Sequence, residues 1–340
     1  MSKVVTFGEL MVRLAPRGYL KLYQADSFDV NYTGAEANIC VSLSMFGMDN
    51  EFVTKLPDNE VTKVAKSMLR KYGVGMNHIV LGGDRMGIYY LERGASQRAS
   101  KVIYDRKYSS LSMASRSDFD WDSIFEEATW FHFTGITAAL SDAMPAICED
   151  ACIAAKKKGV TISCDLNYRK TLWSKEKAQS VMSHLMQYVD VVIGNEEDAS
   201  TTLGITPKQT DVYAGKLNYE SYIQVAQEIC SRFGDKTVAF TLRTSKSASD
   251  NNWAGMLYSK GQAYFSKNYD IHMVDRVGGG DSFGAGLIYA LEQKYDPKKA
   301  IEFAVAASCL KQTMEYDFNL ATPEEVCSLM EGDGSGRVQR

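Results

Sequence analysis

The sequence predicts an α/β protein in which a mostly parallel β-sheet is covered by helices on both faces. Short apolar runs of strand length alternate with amphipathic stretches of helix length over most of the 340 residues. Successive parallel strands need a crossover, usually a helix, so this alternation favours a sheet between two helical layers. The length suits one large domain with a small addition. We therefore expect a single domain over 1–331 and a disordered polar tail over 332–340.

The order of the predicted elements supports this fold class. The predicted strands are Lys3–Gly8, Glu51–Lys55, Thr129–Phe133, Val160–Asp165, Val189–Ile193 and Thr237–Leu242. The predicted helices are Glu36–Phe46, Asn59–Lys71, Ala143–Lys158, Lys175–Tyr188, Tyr219–Phe233, Phe283–Leu291, Ala300–Met314 and one that Thr322 caps, with Pro323 in its first turn. Binding sites in such sheets lie beyond the carboxyl ends of the strands.

Two segments, within about 12–32 and 86–107, do not fit the alternation. Gly87–Arg106 has the pattern of two strands around a polar turn, and Val12–Val30 is similarly strand-like. We expect them to form a small antiparallel β-sheet lid over the active edge of the main sheet, where a lid would exclude water from a reaction. The outer face of the lid would otherwise expose an apolar sheet, so we expect a homodimer through the lids.

Composition argues against several classes of protein. A net charge of −4 and a pI of about 5.7 do not suit a nucleic-acid or anionic-membrane partner. The chain has no run of 18 apolar residues and no signal-peptide pattern, so we expect it to be cytoplasmic. The 7 cysteines are scattered without a Cys-x-x-Cys, which predicts reduced core residues. The 4 histidines are too dispersed for a zinc site.

A glycine run near the C-terminal end carries the strongest functional pattern. Gly278, Gly279 and Gly280 come directly before Asp281, and an apolar helical run follows. Glycines let backbone N–H groups approach a ligand closely, and a helix start adds a partial positive charge, so the segment suits a phosphate oxygen. Asp281 can cap the helix or accept a proton from a neighbouring hydroxyl. An anion seat beside a base is what phosphoryl transfer to a hydroxyl needs.

The string from Asp275 to Phe283, Asp-Arg-Val-Gly-Gly-Gly-Asp-Ser-Phe, resembles the C-terminal signature of the ribokinase-like (phosphofructokinase-B type) carbohydrate kinases. The resemblance implies a ribokinase-like three-layer α/β/α sandwich, with ATP and Mg²⁺ as cofactors. In that family the outer glycines match Gly278 and Gly280, which form an anion hole, and the aspartate matches Asp281, the general base. Arg276 stands where most members have threonine.

Two further motifs imply nucleotide and metal contacts. Asn195-Glu196-Glu197-Asp198 matches the Asn-x-x-Glu of the family, which implies that Asn195 and Asp198 hold Mg²⁺ through water. Thr241–Ser247 stands where the family has Thr-Leu-Gly, and its basic and hydroxyl side chains suit phosphates. The chain contains no Gly-x4-Gly-Lys-Ser/Thr, so a P-loop kinase is excluded. The ATP-binding candidates are Asn167, Asn195, Arg243, Ser245, Ser247, Gly278, Gly279 and Gly280.

Residues of the N-terminal half suggest the substrate. Gly34-Ala35-Glu36-Ala37-Asn38 resembles the Gly-Gly-x-x-x-Asn motif that touches sugar hydroxyls, with Thr33 in place of the first glycine. Arg106 ends the predicted lid and Arg169 follows a central strand. Two guanidinium groups suit a carboxylate, which indicates an anionic sugar.

Within the family, these segments are similar to the branch that phosphorylates the 6-hydroxyl of 2-dehydro-3-deoxy-D-gluconate (2-keto-3-deoxygluconate). The substrate-binding residues that this similarity implies are Gly34, Asn38, Tyr89, Tyr90, Tyr104, Arg106, Ile136, Arg169 and Asp317. The sequence leaves open whether the 4-epimer, 2-keto-3-deoxygalactonate, is also accepted.

Three alternatives remain at this point. A fructokinase or another neutral-sugar kinase of the same family would have no need for the arginine pair. A dinucleotide-binding oxidoreductase could use Gly280-x-x-x-Gly284-x-Gly286, but that motif should follow the first strand. A catalytically silent sugar sensor would not need Asp281.

Overall fold

A computed structural model describes residues 2–206, 219–332 and 334, which form two β-sheets with helices packed around the larger one. The strands, in chain order, are β1 (Lys3–Phe7), β2 (Met11–Ala15), β3 (Asp29–Thr33), β4 (Asp49–Leu56), β5 (Ile79–Leu81), β6 (Gly87–Glu92), β7 (Lys101–Asp105), β8 (Trp130–Thr134), β9 (Thr161–Asp165), β10 (Val191–Gly194), β11 (Thr237–Ser245), β12 (Asp250–Ser259), β13 (Gln262–Phe265) and β14 (Tyr269–His272).

Local chemistry sets many of the helix ends. The helices are α1 (Ala35–Met45), α2 (Glu60–Lys71), α3 (Trp121–Ile124), α4 (Gly135–Ala138), α5 (Met144–Lys157), α6 (Lys175–Leu185), α7 (Glu196–Leu203), α8 (Tyr219–Phe233), α9 (Gly279–Glu292), α10 (Pro297–Gln312) and α11 (Pro323–Glu331). The side chains of Asn59, Ser174, Asn195 and Thr322 each accept an N–H from the first turn of the helix that follows, which satisfies a donor that the helix itself cannot.

The larger sheet has the strand order β13-β12-β11-β10-β9-β8-β1-β4-β5, with β14 also paired to β12. All pairs from β11 to β5 are parallel, as predicted, whereas β12 pairs antiparallel with β11, β13 and β14. The sequence interpretation missed this antiparallel edge. Lys260 and Gly261 have φ of +50° and +79° in the turn between β12 and β13, and such a turn ending in glycine is the signal that predicts a hairpin.

Helices cover both faces of the sheet, which confirms the three-layer prediction. Neighbouring residues of one strand point to opposite layers: Val5 and Val192 pack with α5, α6 and α8, whereas Val4 and Val191 pack with α1, α9 and α10. Burial on both faces explains why these strands are continuous apolar runs rather than alternating patterns.

The smaller sheet, with the order β3-β2-β6-β7, lies in the two segments predicted to form the lid. The prediction that all its pairs are antiparallel is wrong for β2 and β6, which are parallel. The physical reason is that the chain passes through α1, β4, α2 and β5 of the main body between these two strands, so it returns to the lid in the original direction.

The ends and the cysteines complete the description. The predicted tail lies outside the described residues except for 332 and 334. All seven cysteines are unpaired and five of them are buried, as expected for reduced core residues. Among the described helices, none combines the length and the apolar composition that crossing a bilayer would require.

Candidate active site

A cleft of about 510 Å³ lies at the carboxyl ends of the parallel strands, between the main sheet and the lid. Residues at or just after the carboxyl ends of five adjacent strands, β1, β8, β9, β10 and β11, line it. The lid closes the end next to β1. This is the position where open α/β sheets bind ligands.

The cleft brings together most of the residues that the sequence indicated. These are Gly34, Asn38, Tyr89, Tyr104, Arg106, Ile136, Asn167, Arg169, Asn195, Asp198, Arg243, Gly278, Gly279, Gly280, Asp281 and Asp317. They come from segments far apart in the chain, so their meeting in one cavity is a result of the fold.

Three of the indicated residues lie outside the cleft. Tyr90 points to the outer face of the lid, where its ring lies 6.0 Å from that of Phe28, because consecutive residues of a strand face opposite ways and Tyr89 takes the inner position. Ser245 is exposed at the end of β11, and Ser247 Oγ donates to Asp250 Oδ2 at 2.8 Å within a surface turn. These three side chains are therefore not available to a ligand in the cleft.

The glycine run forms the start of α9 at the floor of the cleft. Gly278 has a φ of +82°, and a Cβ atom there would lie 2.0 Å from the carbonyl oxygen of Asp317, so only glycine fits. A Cβ on Gly280 would meet nothing within 4 Å, because this residue faces open space. No side chain in the described part of the protein caps the helix. The free N–H groups of the first turn and the helix dipole suit an anion.

Asp281 lies in this first turn and remains in contact with the cleft. Burial, and to a smaller extent the charge of Asp317, raises its pKa to about 6, against the opposing effects of Asn38, Arg169 and Lys311. Asn38 Nδ2 donates to Asp281 Oδ2 at 2.6 Å. At neutral pH the carboxylate is therefore mostly ionised, yet basic enough to accept a proton from a hydroxyl.

Arg106 has a partner that the sequence interpretation missed. Its Nε donates to Glu9 Oε2 at 2.8 Å, and its Nη2 donates to the same oxygen. Glu9 lies two residues after the end of β1 and is 4% exposed, so the two opposite charges balance each other in a buried place. Its position after a central strand is the signal that could have pointed to it.

Arg169 differs from Arg106 because it makes no ion pair within the described part of the chain. Its Nη1 donates to the carbonyl oxygen of Tyr168 at 2.9 Å. The positive charge of Arg169 acts to lower the pKa values of Asp165 and Asp281. Burial nevertheless raises the pKa of Asp165 well above its usual range. The guanidinium group keeps donors for a ligand in the middle of the cleft.

Two further arginines lie near each other in the cleft, Arg243 on β11 and Arg276 in the segment before α9. Arg243 and Arg276 both line the cleft, and neither forms a salt bridge with any described residue. Burial and repulsion by Arg243 lower the pKa of Arg276. Trp253 Nε1 and Asn251 Oδ1 also belong to the lining of the cleft, and each is buried without a hydrogen-bond partner among the described residues. Unpaired cations and the N–H donor of Trp253 fit a nucleotide with several phosphate charges. Arg276 was not among the indicated residues.

Asn195 and Asp198 form a reciprocal pair at the start of α7. Asn195 Nδ2 donates to Asp198 Oδ2 at 2.7 Å, and the N–H of Tyr168 donates to Asp198 Oδ1 at 3.1 Å. Burial raises the pKa of Asp198. No group of three or more metal-ligating side chains occurs in the ranges that the structure covers. The pair therefore fits only a divalent cation that keeps most of its water, as Mg²⁺ does.

The glycines that could suggest a dinucleotide motif have a packing role instead. Gly284 and Gly286 lie inside α9, where a Cβ on Gly286 would be 2.9 Å from the Cα of Ala304 in α10. Gly286 thus allows α9 and α10 to approach closely, and neither residue lines the cleft.

Comparison with known proteins identifies relatives of this chain. A model of the pfkB family of carbohydrate kinases matches residues 1–316. A 2-dehydro-3-deoxygluconokinase from Thermotoga maritima, known as a crystal structure, has a TM-score of 0.93 and 51% sequence identity, covering 97% of this chain and 98% of that one. The 2-dehydro-3-deoxygalactonokinase of Haloferax volcanii is 30% identical over 98% of both chains.

A more distant structure shares the fold. An E. coli protein solved in complex with ATP and Mg²⁺ has a TM-score of 0.79 at 19% identity, covering 97% of this chain and 99% of that one. From the family match over most of its length, together with the cleft, we conclude that the chain belongs to the pfkB family of carbohydrate kinases.

Proposed function

We propose that this sugar kinase transfers the γ-phosphoryl group of ATP to the 6-hydroxyl of 2-dehydro-3-deoxy-D-gluconate, giving 2-dehydro-3-deoxy-6-phosphogluconate. The observation that carries the proposal is the position of Asp281. It lies beside the start of α9, within one cleft that has an Arg169 guanidinium without a carboxylate partner among the described residues and also contains the Arg243 and Arg276 pair.

The order of the strands separates the two substrates. Residues next to β1 and the lid, including Gly34, Tyr89 and Tyr104, offer a hydroxyl-rich and aromatic surface that suits a sugar. Arg243 on β11, with Arg276 near it from the segment before α9, suits phosphates. Asp281 and the glycine run lie between them, where a hydroxyl and a γ-phosphate would meet.

Asp281 would take the proton of the 6-hydroxyl as its oxygen attacks phosphorus. The N–H groups at Gly278 to Gly280 and the start of α9 would stabilise the negative charge that develops on the transferred group. When bound, Mg²⁺ would neutralise phosphate charge, held through water near Asn195 and Asp198. The lid would keep water from competing with the hydroxyl.

The arginines favour an acidic sugar. Arg169 has donors to spare for a carboxylate, whereas Arg106 is already balanced by Glu9 and would contribute mainly its remaining Nη1. Selectivity for the acid is therefore expected to depend more on Arg169 than on Arg106. The Thermotoga protein is named for 2-dehydro-3-deoxygluconate and the Haloferax protein for 2-dehydro-3-deoxygalactonate. These two acids differ in the configuration of one hydroxyl, so the test includes both.

The test is ATP-dependent phosphorylation of 2-keto-3-deoxygluconate, 2-keto-3-deoxygalactonate, fructose and ribose, with the product examined by phosphorus NMR. We expect kcat/KM for the acids to exceed that for the neutral sugars by about 10²-fold, the worth of one or two charge-assisted hydrogen bonds. Preference for fructose would favour the fructokinase alternative. Binding of a sugar without ATP consumption would favour a sensor.

We also propose that two copies associate through their lids. The outer lid face carries Leu14, Ile88, Tyr90 and Ile103, which share one side of the sheet by strand alternation. Ile103 is 52% exposed, and nearby Val30 is 53% exposed. A second copy with the same apolar face is the occupant that would cover it through a two-fold axis.

A further inference from the structure

Asp281 is supported by a short chain of two buried side chains. Asn38 Nδ2 donates to Asp281 Oδ2 at 2.6 Å, and Thr33 Oγ1 donates to Asn38 Oδ1 at 2.8 Å. We propose that Thr33 is a positioning residue for the phosphoryl transfer, because its hydroxyl holds the Asn38 amide in the orientation that donates to the carboxylate of Asp281. The inference rests on the proposed role of Asp281 as the base.

The orientation of this amide decides whether it helps or opposes the base. A side-chain amide has a donor end and an acceptor end. With its present orientation, Asn38 offers an N–H to Asp281, whereas a half-turn would place Asn38 Oδ1 against the negative carboxylate. Asn38 is 3% exposed, so its oxygen needs a donor from the protein, and Thr33 supplies it.

Both supporting residues are anchored by regular structure. Thr33 ends β3, paired with Met11 of β2, and is 2% exposed. Asn38 lies in the first turn of α1, where its N–H donates to the carbonyl oxygen of Gly34 at 2.7 Å. Their side chains therefore meet with little freedom, and the support is ready before a substrate arrives.

Several charged groups around Asp281 oppose each other. Asp317, Glu36 and Asp165 are acidic groups whose charges disfavour a second negative charge at Asp281, whereas Arg169 and Lys311 favour it. Asn38 is the neutral donor bonded directly to the carboxylate. If its donation is weakened, we expect Asp281 to take up a proton at a higher pH.

The experiment compares the pH dependence of kcat/KM in the wild type, Thr33→Val, Thr33→Ala and Thr33→Ser. Valine and alanine remove the hydroxyl, and serine keeps it. We expect the acid limb to move up by about 0.5–1 pH unit in Thr33→Val and Thr33→Ala, with the deficit shrinking as the pH rises. Thr33→Ser should retain the wild-type limb. Thr33→Ala serves if the valine variant does not fold.

A second measurement separates this inference from the proposed function. Carbon-13 NMR titration of the Asp281 carboxyl, identified by its absence in Asp281→Asn, reports protonation without any turnover. An upward shift in Thr33→Val supports the positioning role even if Asp281 proves not to be the base. The inference would be overturned if Thr33→Val moved neither the titration of the Asp281 carboxyl nor the acid limb of kcat/KM. It would also be overturned if kcat/KM fell by the same factor at every pH and fell equally in Thr33→Ser.

Discussion

Arg13 Nη2 of lid strand β2 lies 2.6 Å from Asp275 Oδ2, in the segment that leads into the glycine run. The Nη1 atom of the same guanidinium donates to Asp317, whose other oxygen accepts the Tyr89 hydroxyl at 2.7 Å. These side chains are nearly fully buried. Both oxygens of the Asp317 carboxylate thus bind lid side chains and link the lid to the floor of the cleft. The sequence had indicated this carboxylate as a substrate contact.

Arg13→Met should therefore be strongly destabilising. It leaves Asp275 and Asp317 buried without their cation, a situation that costs about 3–5 kcal/mol. The free energy of unfolding in urea measures this. Arg17→Met, which removes a guanidinium that is 75% exposed and pairs with Asp29 at 3.3 Å, is the control and should change stability by less than about 0.5 kcal/mol. Similar small losses in both variants would mean that the buried ions contribute no net stability.

Asp281→Asn should lower kcat by roughly 10²–10⁴ while ATP and sugar binding stay within a few-fold, because the amide cannot accept the proton of the hydroxyl. Steady-state kinetics and calorimetric binding measure the two effects. Turnover above a tenth of the wild-type value would remove Asp281 from the role of base.

Activity should fall as the pH is lowered through about 6. Burial raises the pKa of Asp281 to about 6, and only the ionised carboxylate can accept a proton. We therefore expect kcat/KM to fall as the pH drops below about 6. A pH profile with substrate stability checked at each point measures it. An acid limb near 4, the usual range of an aspartate, would show that burial does not act on this group in solution.

The same raised pKa predicts a stability gain for Asp281→Asn at high pH. A carboxyl whose pKa is higher in the folded than in the unfolded state binds more protons when folded, so the wild type loses stability as the pH rises from about 4 to about 6. Asn avoids that loss, and we expect the variant to be more stable by about 1–3 kcal/mol at pH 8, with the difference vanishing near pH 4. Urea unfolding at both pH values tests this, and an equal difference at both would contradict it.

Arg169→Ala should distinguish acidic from neutral sugars. Loss of its guanidinium should lower kcat/KM for 2-keto-3-deoxygluconate by about 10–100-fold and any activity on fructose by less than about 3-fold. Lys170→Ala, a change at the exposed neighbour, is the control. Equal losses on both kinds of sugar would indicate that Arg169 serves ATP or the fold.

Ile103→Glu should separate the copies if they associate through the lids. A charge on the outer lid face would have to be buried in the dimer, which is costly. Val64→Glu, on α2, is the matched control, because Val64 is 54% exposed and Ile103 is 52% exposed. Light scattering after size exclusion measures the mass. A wild type that is monomeric, or an Ile103→Glu variant that stays dimeric, would contradict the lid interface.

The layers of the fold and the centre of the chemistry follow from local patterns in the sequence. Strand–helix alternation is a local property, and the apolar runs around Val4 and Val191 are long enough to show burial on both sides. The glycine run and Asp281 are likewise adjacent in the chain, so their joint meaning needs no knowledge of the rest of the structure.

Which side chains act together depends on contacts between distant parts of the chain. Asn38 and Asp281 are separated by 243 residues, and Arg13 and Asp275 by 262, so no spacing rule could pair them. Tyr89 and Tyr90 are both tyrosines, and a shift of one residue along a strand exchanges the two faces of that strand. The register of β6 with β2 and β7 therefore determines which of the two tyrosines faces the cleft. Arg106 and Arg169 looked alike in the sequence. Their difference lies in Glu9, which the fold places beside Arg106 alone, because charge balance depends on distance in space.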